Sequence, residues 1–345
     1  MRYLPLFLAL SLSIQASAQT DTLKPYLLSG IAKHDSGDYD GAIRQYDLII
    51  SIDPKYYLAY SEKSFSLFQQ GKYQECIDLC KQVLKDFPNN ELNGNIYTNY
   101  ASSLDALGQS RDAIDIYNKG IRKFPKEHLL YFNRGITEYT LKDLDAATKD
   151  MEESLRLSPG HPGSHQALAY CVYQKNRIAG AMALASFLLV EPKGPRAEKN
   201  LTLLIQLLHK NISQRSDSVV NISLSMDDLN TRGKGDDNFS PTEMLLTLTS
   251  AMDGEESKKG KTPAQLLEKK LEILAEATPT KKGFFSQFYI PFFAGLQKDS
   301  LLEAASHVMY LSAKDPADAN WLQANPDKIQ ALQKHLNDWS GKKND

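Results

Sequence analysis

The sequence predicts an all-α chain: a superhelix of about five helix-turn-helix repeats, followed by a smaller helical C-terminal domain. Three observations predict it. First, one phrase of turn, amphipathic helix and proline stop returns along the first half. It reads GDYDGAIRQYDLIISIDP from Gly37 to Pro54, GKYQECIDLCKQVLKDFP from Gly71 to Pro88, GQSRDAIDIYNKGIRKFP from Gly108 to Pro125 and KDLDAATKDMEESLRLSP from Lys142 to Pro159. A worn fifth copy, NRIAGAMALASFLLVEP, runs from Asn176 to Pro192. Second, the closing prolines at 54, 88, 125, 159 and 192 are 34, 37, 34 and 33 residues apart, the period of a helix-pair solenoid. Third, small and apolar residues recur at i, i+1, i+4 and i+7 inside each phrase, as in Ala42, Ile43, Tyr46 and Ile49. That spacing draws one stripe on an α-helix.

Each part of the phrase has a physical reason. Gly or Asn at its head allows a left-handed residue between antiparallel helices. Proline at its end cannot continue the helix. A small residue opening the stripe (Ala42, Cys76, Ala113, Ala147, Ala181) lets two helices approach closely. One pair cannot bury its stripe alone, so neighbouring copies must stack.

Residues 1–18 precede the array and differ from it. Arg2 gives a positive start, Leu4 to Ile14 is an apolar run and Ala16-Ser17-Ala18 fits a small-x-small cleavage site. The run of about 11 residues is short of the roughly 20 that span a bilayer. The reading is a secretory signal removed at about Ala18/Gln19. It places the protein in the periplasm or outside a Gram-negative-type bacterium, with no integral membrane span. Net charge is −2 over 345 residues, with no basic excess to suggest nucleic acid. The three cysteines Cys76, Cys80 and Cys171 are expected as core residues rather than a disulfide framework.

The first helices of the repeats are expected near Leu23 to Ser36, then from about Tyr57, Asn95, His128 and Gly163, with Asn89 to Gly94 as a longer loop. The array thus covers 21–192. Pro195 to Lys210, within 193–212, reads as a leucine-rich helix capping its open end. Residues 213–240 are rich in Ser, Asp, Asn and Gly and read as a polar linker, with a short strand somewhere in Ser218 to Met226. In the C-terminal domain, 241–345, apolar stripes predict helices at Pro241 to Asp253, Pro263 to Ala277, Phe284 to Leu296, Ser300 to Ala313 and Pro326 to Trp339. Gly254 to Lys261 reads as a charged linker.

Residues 21–192 resemble the tetratricopeptide repeat (TPR) family. The resemblance is carried by Gly30, Ala42, Tyr46 and Pro54 in copy one. Copy three carries it by Tyr97, Ala101, Leu104, Ala113, Tyr117 and Pro125, and copy four by Tyr131, Gly135, Ala147 and Pro159. Copy two has Ser64 and Cys76 instead, both small, and copy five lacks the aromatic pattern. The resemblance implies a right-handed superhelix whose first helices line a concave groove. It places Phe65, Phe68, Asn99, Asp105, Phe132, Asn133 and Tyr139 on that face. Asn99 and Asn133 hold the position whose amide, in the family, often bonds a bound peptide's backbone, which suits a group that is both donor and acceptor. The lysine-rich groove with which relatives clamp a terminal carboxylate is absent.

Other patterns have plainer readings. KKGKTP, Lys258 to Pro263, looks like the end of a phosphate loop, but Gly254 and Gly260 are separated by five residues where that loop has four. Asp38, Asp40, Gly41 and Asp47 fall at calcium-loop spacings, yet the terminal Glu is missing and the inter-helix turn explains them. His161 and His165 are four apart, but Pro162 and Gly163 put His161 in a loop. The aromatic run Phe284, Phe285, Phe288, Tyr289, Phe292 and Phe293 reads as a buried core helix near Trp321 and Trp339, with a docking surface as the alternative. No metal, cofactor or catalytic residue is assigned, and the chain is not expected to be an enzyme. The expected role is an exported scaffold or adaptor that holds an envelope protein or peptide in the groove. The alternatives are a self-assembling structural protein forming a homo-oligomer, or a C-terminal ligand-binding or enzymatic domain that the array serves.

Overall fold

The computed structural model describes residues 22–216, 219–223, 237–278 and 282–341. The signal expected at 1–18, and its cleavage point, lie outside them. Ten helices occupy the places that the five repeats predict. In chain order they are α1 (22–35), α2 (Tyr39–Ile52), α3 (Tyr57–Gln69), α4 (Tyr73–Asp86), α5 (Asn93–Ala106), α6 (Ser110–Lys123), α7 (His128–Thr140), α8 (Leu144–Leu157), α9 (Pro162–Val172) and α10 (Arg177–Val190). Helix α5 starts two residues before the expected Asn95. The side chain of Asn93 is buried there: its Nδ2 donates to the Phe87 carbonyl at 2.6 Å and its Oδ1 accepts from the Tyr57 hydroxyl at 3.0 Å.

Contacts group the chain into two compact units, 1–137 and 138–345. In the first, each layer of core joins one pair to the first helix of the next. Tyr46, Ile49 and Leu27 pack with Ala59, Val83 and Cys80 with Ile96, and Ala113 and Tyr117 with Leu130. The small residues behave as the spacing requires, with Ala42, Cys76 and Ala113 fully buried. Gly30 makes the first pair possible, because a Cβ there would stand 2.5 Å from the Tyr46 ring. Gly37, Gly71 and Gly108 take φ of +83°, +80° and +78° in the turns. All three cysteines are free and buried.

The second unit is built around α10. Every residue from Arg177 to Leu189 is buried, because RIAGAMALASFLLV is apolar on all sides and a helix of that kind is stable only when surrounded. It packs against α9 and α11 (Pro195–Leu208), and against later helices of the unit. Asn176 was expected to supply a left-handed turn residue. It is instead the N-cap of α10 in extended backbone, its side chain accepting from the Ala179 amide.

The segment expected as a polar linker holds an antiparallel hairpin, β1 (Ile212–Ser216) and β2 (Val219–Ile222). The helices that follow are α12 (Ser240–Ala251), α13 (Asp253–Lys258), α14 (Pro263–Ala275), α15 (Phe284–Lys298), α16 (Leu302–Met309) with a 3-10 turn Tyr310–Ala313, α17 (Pro316–Ala324) and α18 (Pro326–Ser340). Two differ from expectation. The charged stretch after Gly254 begins as α13, stabilised by Lys258–Glu255 and Lys259–Glu256 pairs three residues apart. Asp315 caps α17 through the Ala317 amide, with Pro316 at its first position.

Candidate functional site: a groove across α3, α5 and α7

One stripe of α3 carries Ser61, Phe65 and Phe68, spaced i, i+4 and i+7. Its equivalent on α5 is Asn95, Asn99 and Ser102, and on α7 Leu129, Phe132 and Asn133. With Glu62, Gln69 and Thr98 they enclose a concave pocket of about 380 Å³ in the first unit. Five of the residues expected on the groove therefore meet there: Phe65, Phe68, Asn99, Phe132 and Asn133.

Phe65 is 38% exposed although His34 stacks on it, centroids 4.5 Å apart. That imidazole is fixed by the Ser66 hydroxyl, 2.8 Å from its Nδ1. Asn99 is only 9% exposed. Its Nδ2 donates to the Ser64 hydroxyl at 2.9 Å, and that hydroxyl donates to the Ser61 carbonyl at 2.7 Å. Since the Ser64 proton is already used, its oxygen must accept, and the amide orientation is set. Asn133 is set the same way, its Nδ2 donating to the Leu129 carbonyl at 2.8 Å. Each amide thus spends one of its two N–H donors inside the protein and keeps Oδ1 and one N–H for a ligand. Burial, reinforced by the charge of Asp35, holds the Glu62 carboxyl above the usual range.

Two expected residues are elsewhere. Asp105 accepts from the Ser110 hydroxyl at 2.6 Å and the Thr137 hydroxyl at 3.0 Å, so it ties α5 to α6 and α7. Tyr139 lies in the second unit, where it lines a pocket of about 500 Å³ with Tyr170, Tyr173, Lys199, Thr202, Leu203 and Gln206. Glu62, Gln69, Asn95 and Leu129 were missed. Each sits one, three or four positions from a residue that the spacing predicts, so widening the stripe to its flanks finds them.

The remaining patterns resolve as structure. Asp38 caps α2 through the Gly41 amide and pairs with Lys33 at 3.1 Å. Thr262 and Gln265 form a capping box on α14. His161 caps α9. His165 is fully buried, Nδ1 2.7 Å from the Tyr289 hydroxyl and Nε2 2.7 Å from the Pro159 carbonyl. The aromatic run forms α15 and is core: Phe284, Phe285, Tyr289, Phe292 and Phe293 are buried, and Phe292 stacks on Trp339 at 4.1 Å. Trp321, expected beside that run, stacks instead on His307 at 4.2 Å. Among the described residues no helix is long and apolar enough to cross a membrane, and no group of three or more His, Cys, Asp or Glu could hold a metal ion.

Comparison with known proteins agrees with the repeat geometry. Residues 59–90 and 100–162 match two family models, each described as tetratricopeptide repeat. The chain carries tetratricopeptide repeats over these residues. Its C-terminal half matches no family model. The Hsp70-Hsp90 organising protein of Plasmodium falciparum is 28% identical over 121 residues, 34% of this chain and 45% of that protein. Small glutamine-rich tetratricopeptide repeat-containing protein 2 of Saccharomyces cerevisiae is 38% identical over 60 residues, 17% of each. The chain thus spans less than half the length of these relatives. Among solved structures, a thermophilic TPR protein of Thermus thermophilus superposes with a TM-score of 0.46 at 18% identity, over 54% of this chain and 98% of that one. PilF of Pseudomonas aeruginosa gives 0.47 at 16% identity, over 55% and 84%. TPR proteins of this kind are protein-protein interaction scaffolds.

Proposed function

We propose that this protein is an exported, non-catalytic scaffold that holds a segment of an envelope protein in the groove of α3, α5 and α7. One observation carries the reading. Asn99 and Asn133, on successive first helices, present unused amide oxygens beside three phenylalanines in one concave pocket. A bound main chain offers N–H donors to such oxygens, and its side chains fill the aromatic wall. Export rests on the apolar run and Ala16-Ser17-Ala18 at the start of the chain.

Capture from the cell's own envelope extract after mild cross-linking tests the reading. The Asn99→Ala/Asn133→Ala form should lose a partner that the unaltered protein retains, with its melting temperature within a few degrees. Equal recovery by both forms would remove the groove from the account. N-terminal sequencing of the exported protein should begin at Gln19, and a chain beginning at Met1 would contradict export.

A second reading, self-association, is favoured by the exposed apolar face of α12, where Met244 is 47%, Leu245 56% and Leu248 44% exposed. Light scattering at micromolar concentration decides it, since a monomer argues against assembly.

A further inference from the structure

The groove has an electrical sign, and the sign selects its occupant. We propose that the segment bound there carries a lysine or arginine whose side chain enters the pocket and pairs with Glu62. This rests on the groove reading above and adds the chemistry of the partner.

The lining contains one ionisable side chain, Glu62, and no Lys or Arg. Glu62 makes no ion pair among the described residues, and the charge that acts on it is another acid, Asp35. The lining helices carry two cations, and both bond other groups. Lys63 reaches Asp47 on α2 at 2.6 Å, and Arg134 bonds the Asn118 side chain on α6. A half-buried carboxylate without a counter-charge is an unfavourable arrangement for the free protein, and a ligand cation relieves it.

Hydrogen bonding agrees with the charge. Asn99 is nine-tenths buried, one N–H of its Nδ2 is committed to Ser64, and its Oδ1 has no partner while the residue lines the pocket. Asn133 repeats the pattern one repeat later. The pocket therefore offers two amide oxygens and a carboxylate. Ammonium and guanidinium groups are donors only, so they satisfy such a set, whereas a carboxylate ligand would meet Glu62 as a like charge. Phe65 supplies what the rest of the side chain needs. Its exposed ring takes the aliphatic stem of Lys or Arg, and ring faces attract the cation.

The test uses a display library of random dodecapeptides selected on the purified protein. Selected sequences should share Lys or Arg at one position beside apolar residues. Resynthesised peptides should bind about tenfold more weakly to the Glu62→Gln form, and about as much more weakly when their cation is replaced by norleucine. Combining both changes should weaken binding no more than either alone, since each removes the same contact. The Glu62→Lys form should select acidic peptides instead. Peptides that need Asn99 and Asn133 but show no cation preference and bind the Glu62→Gln form equally would overturn the pairing while leaving the groove. Peptides indifferent to Glu62 and to both asparagines would overturn both.

Discussion

His165 is enclosed on every side, with the Tyr289 hydroxyl at Nδ1, the Pro159 carbonyl at Nε2 and the Trp339 ring stacked at 5.5 Å. A carbonyl only accepts, so Nε2 carries the proton and Nδ1 accepts from Tyr289. Burial then pushes the imidazole pKa down to about 3. In unfolded chain this ring protonates near 6.5, so between those two values the unfolded state binds a proton that the folded state does not. Stability therefore falls as pH falls below about 6.5, by about 2 kcal/mol at pH 5 from this ring. Glu152 acts oppositely. Desolvation holds its carboxyl at about 7, with Arg156 pulling down and Asp237 pushing up. Its folded pKa lies above the unfolded one, so it costs stability as pH rises from the usual carboxylate range through 7. Whole-protein melts mix the two effects, but ring resonances separate them. A long-range nitrogen–proton NMR titration should find His165 neutral, protonated at Nε2, from pH 8 down to about pH 4.5. An imidazolium at pH 6 would contradict the enclosure.

The turns and the α10 staple show how elements depend on single positions. Gly37, Gly71 and Gly108 hold the left-handed residue of three turns, and the fourth copy places Lys142 there with φ of +68°. A side chain in that conformation costs roughly 1 kcal/mol, partly offset by glycine's larger loss of freedom on folding. Lys142→Gly should therefore be stabilising by under about 1 kcal/mol, read by urea unfolding, whereas Gly71→Ala should destabilise by a similar amount. Arg177 fastens α10 to two later segments. Its guanidinium donates to the Leu207 and Lys210 carbonyls at the end of α11 and to Thr247 of α12 at 2.9 Å. Its Nε lies 2.7 Å from the Glu243 carboxylate at an angle too poor for a hydrogen bond, so that contact is Coulombic. Arg177→Met leaves a buried carboxylate alone and should cost about 3–5 kcal/mol, much of it recovered in Arg177→Met/Glu243→Leu. No recovery would mean that the carbonyl bonds, and not the pair, dominate. These elements also show what the sequence could carry. The αL position of the fourth turn is visible as Lys142 aligned with three glycines, and α3 and α7 begin at the expected Tyr57 and His128. The partners of Arg177 are not visible, because they lie 66 and 70 residues away on a helix with no repeat to align.

Across the molecule, legibility follows the distance over which contacts are made. The array is written in local period, since in the first unit each repeat buries its stripe against its neighbour, and five of the seven groove residues follow from the same stripe. Asp105 and Tyr139 depart because a stripe gives a face and not a partner: Asp105 is consumed by Ser110 and Thr137, and Tyr139 lies past the first unit. The hairpin at Ile212–Ile222 was half seen, since one alternating run suggested a strand and its partner carries no apolar alternation. The sign of the groove was missed because it depends on where Lys63 and Arg134 turn, which spacing does not fix. The claim at the centre of all this is that partners enter the face of α3, α5 and α7. A photo-reactive phenylalanine analogue at Phe65, compared with one at Leu48 on α2, which is 41% exposed, tests it most directly in intact cells. A partner cross-linked from position 65 and not from 48 is the predicted result. A partner cross-linked from 48 and not from 65 would put binding on the second-helix face and contradict the account.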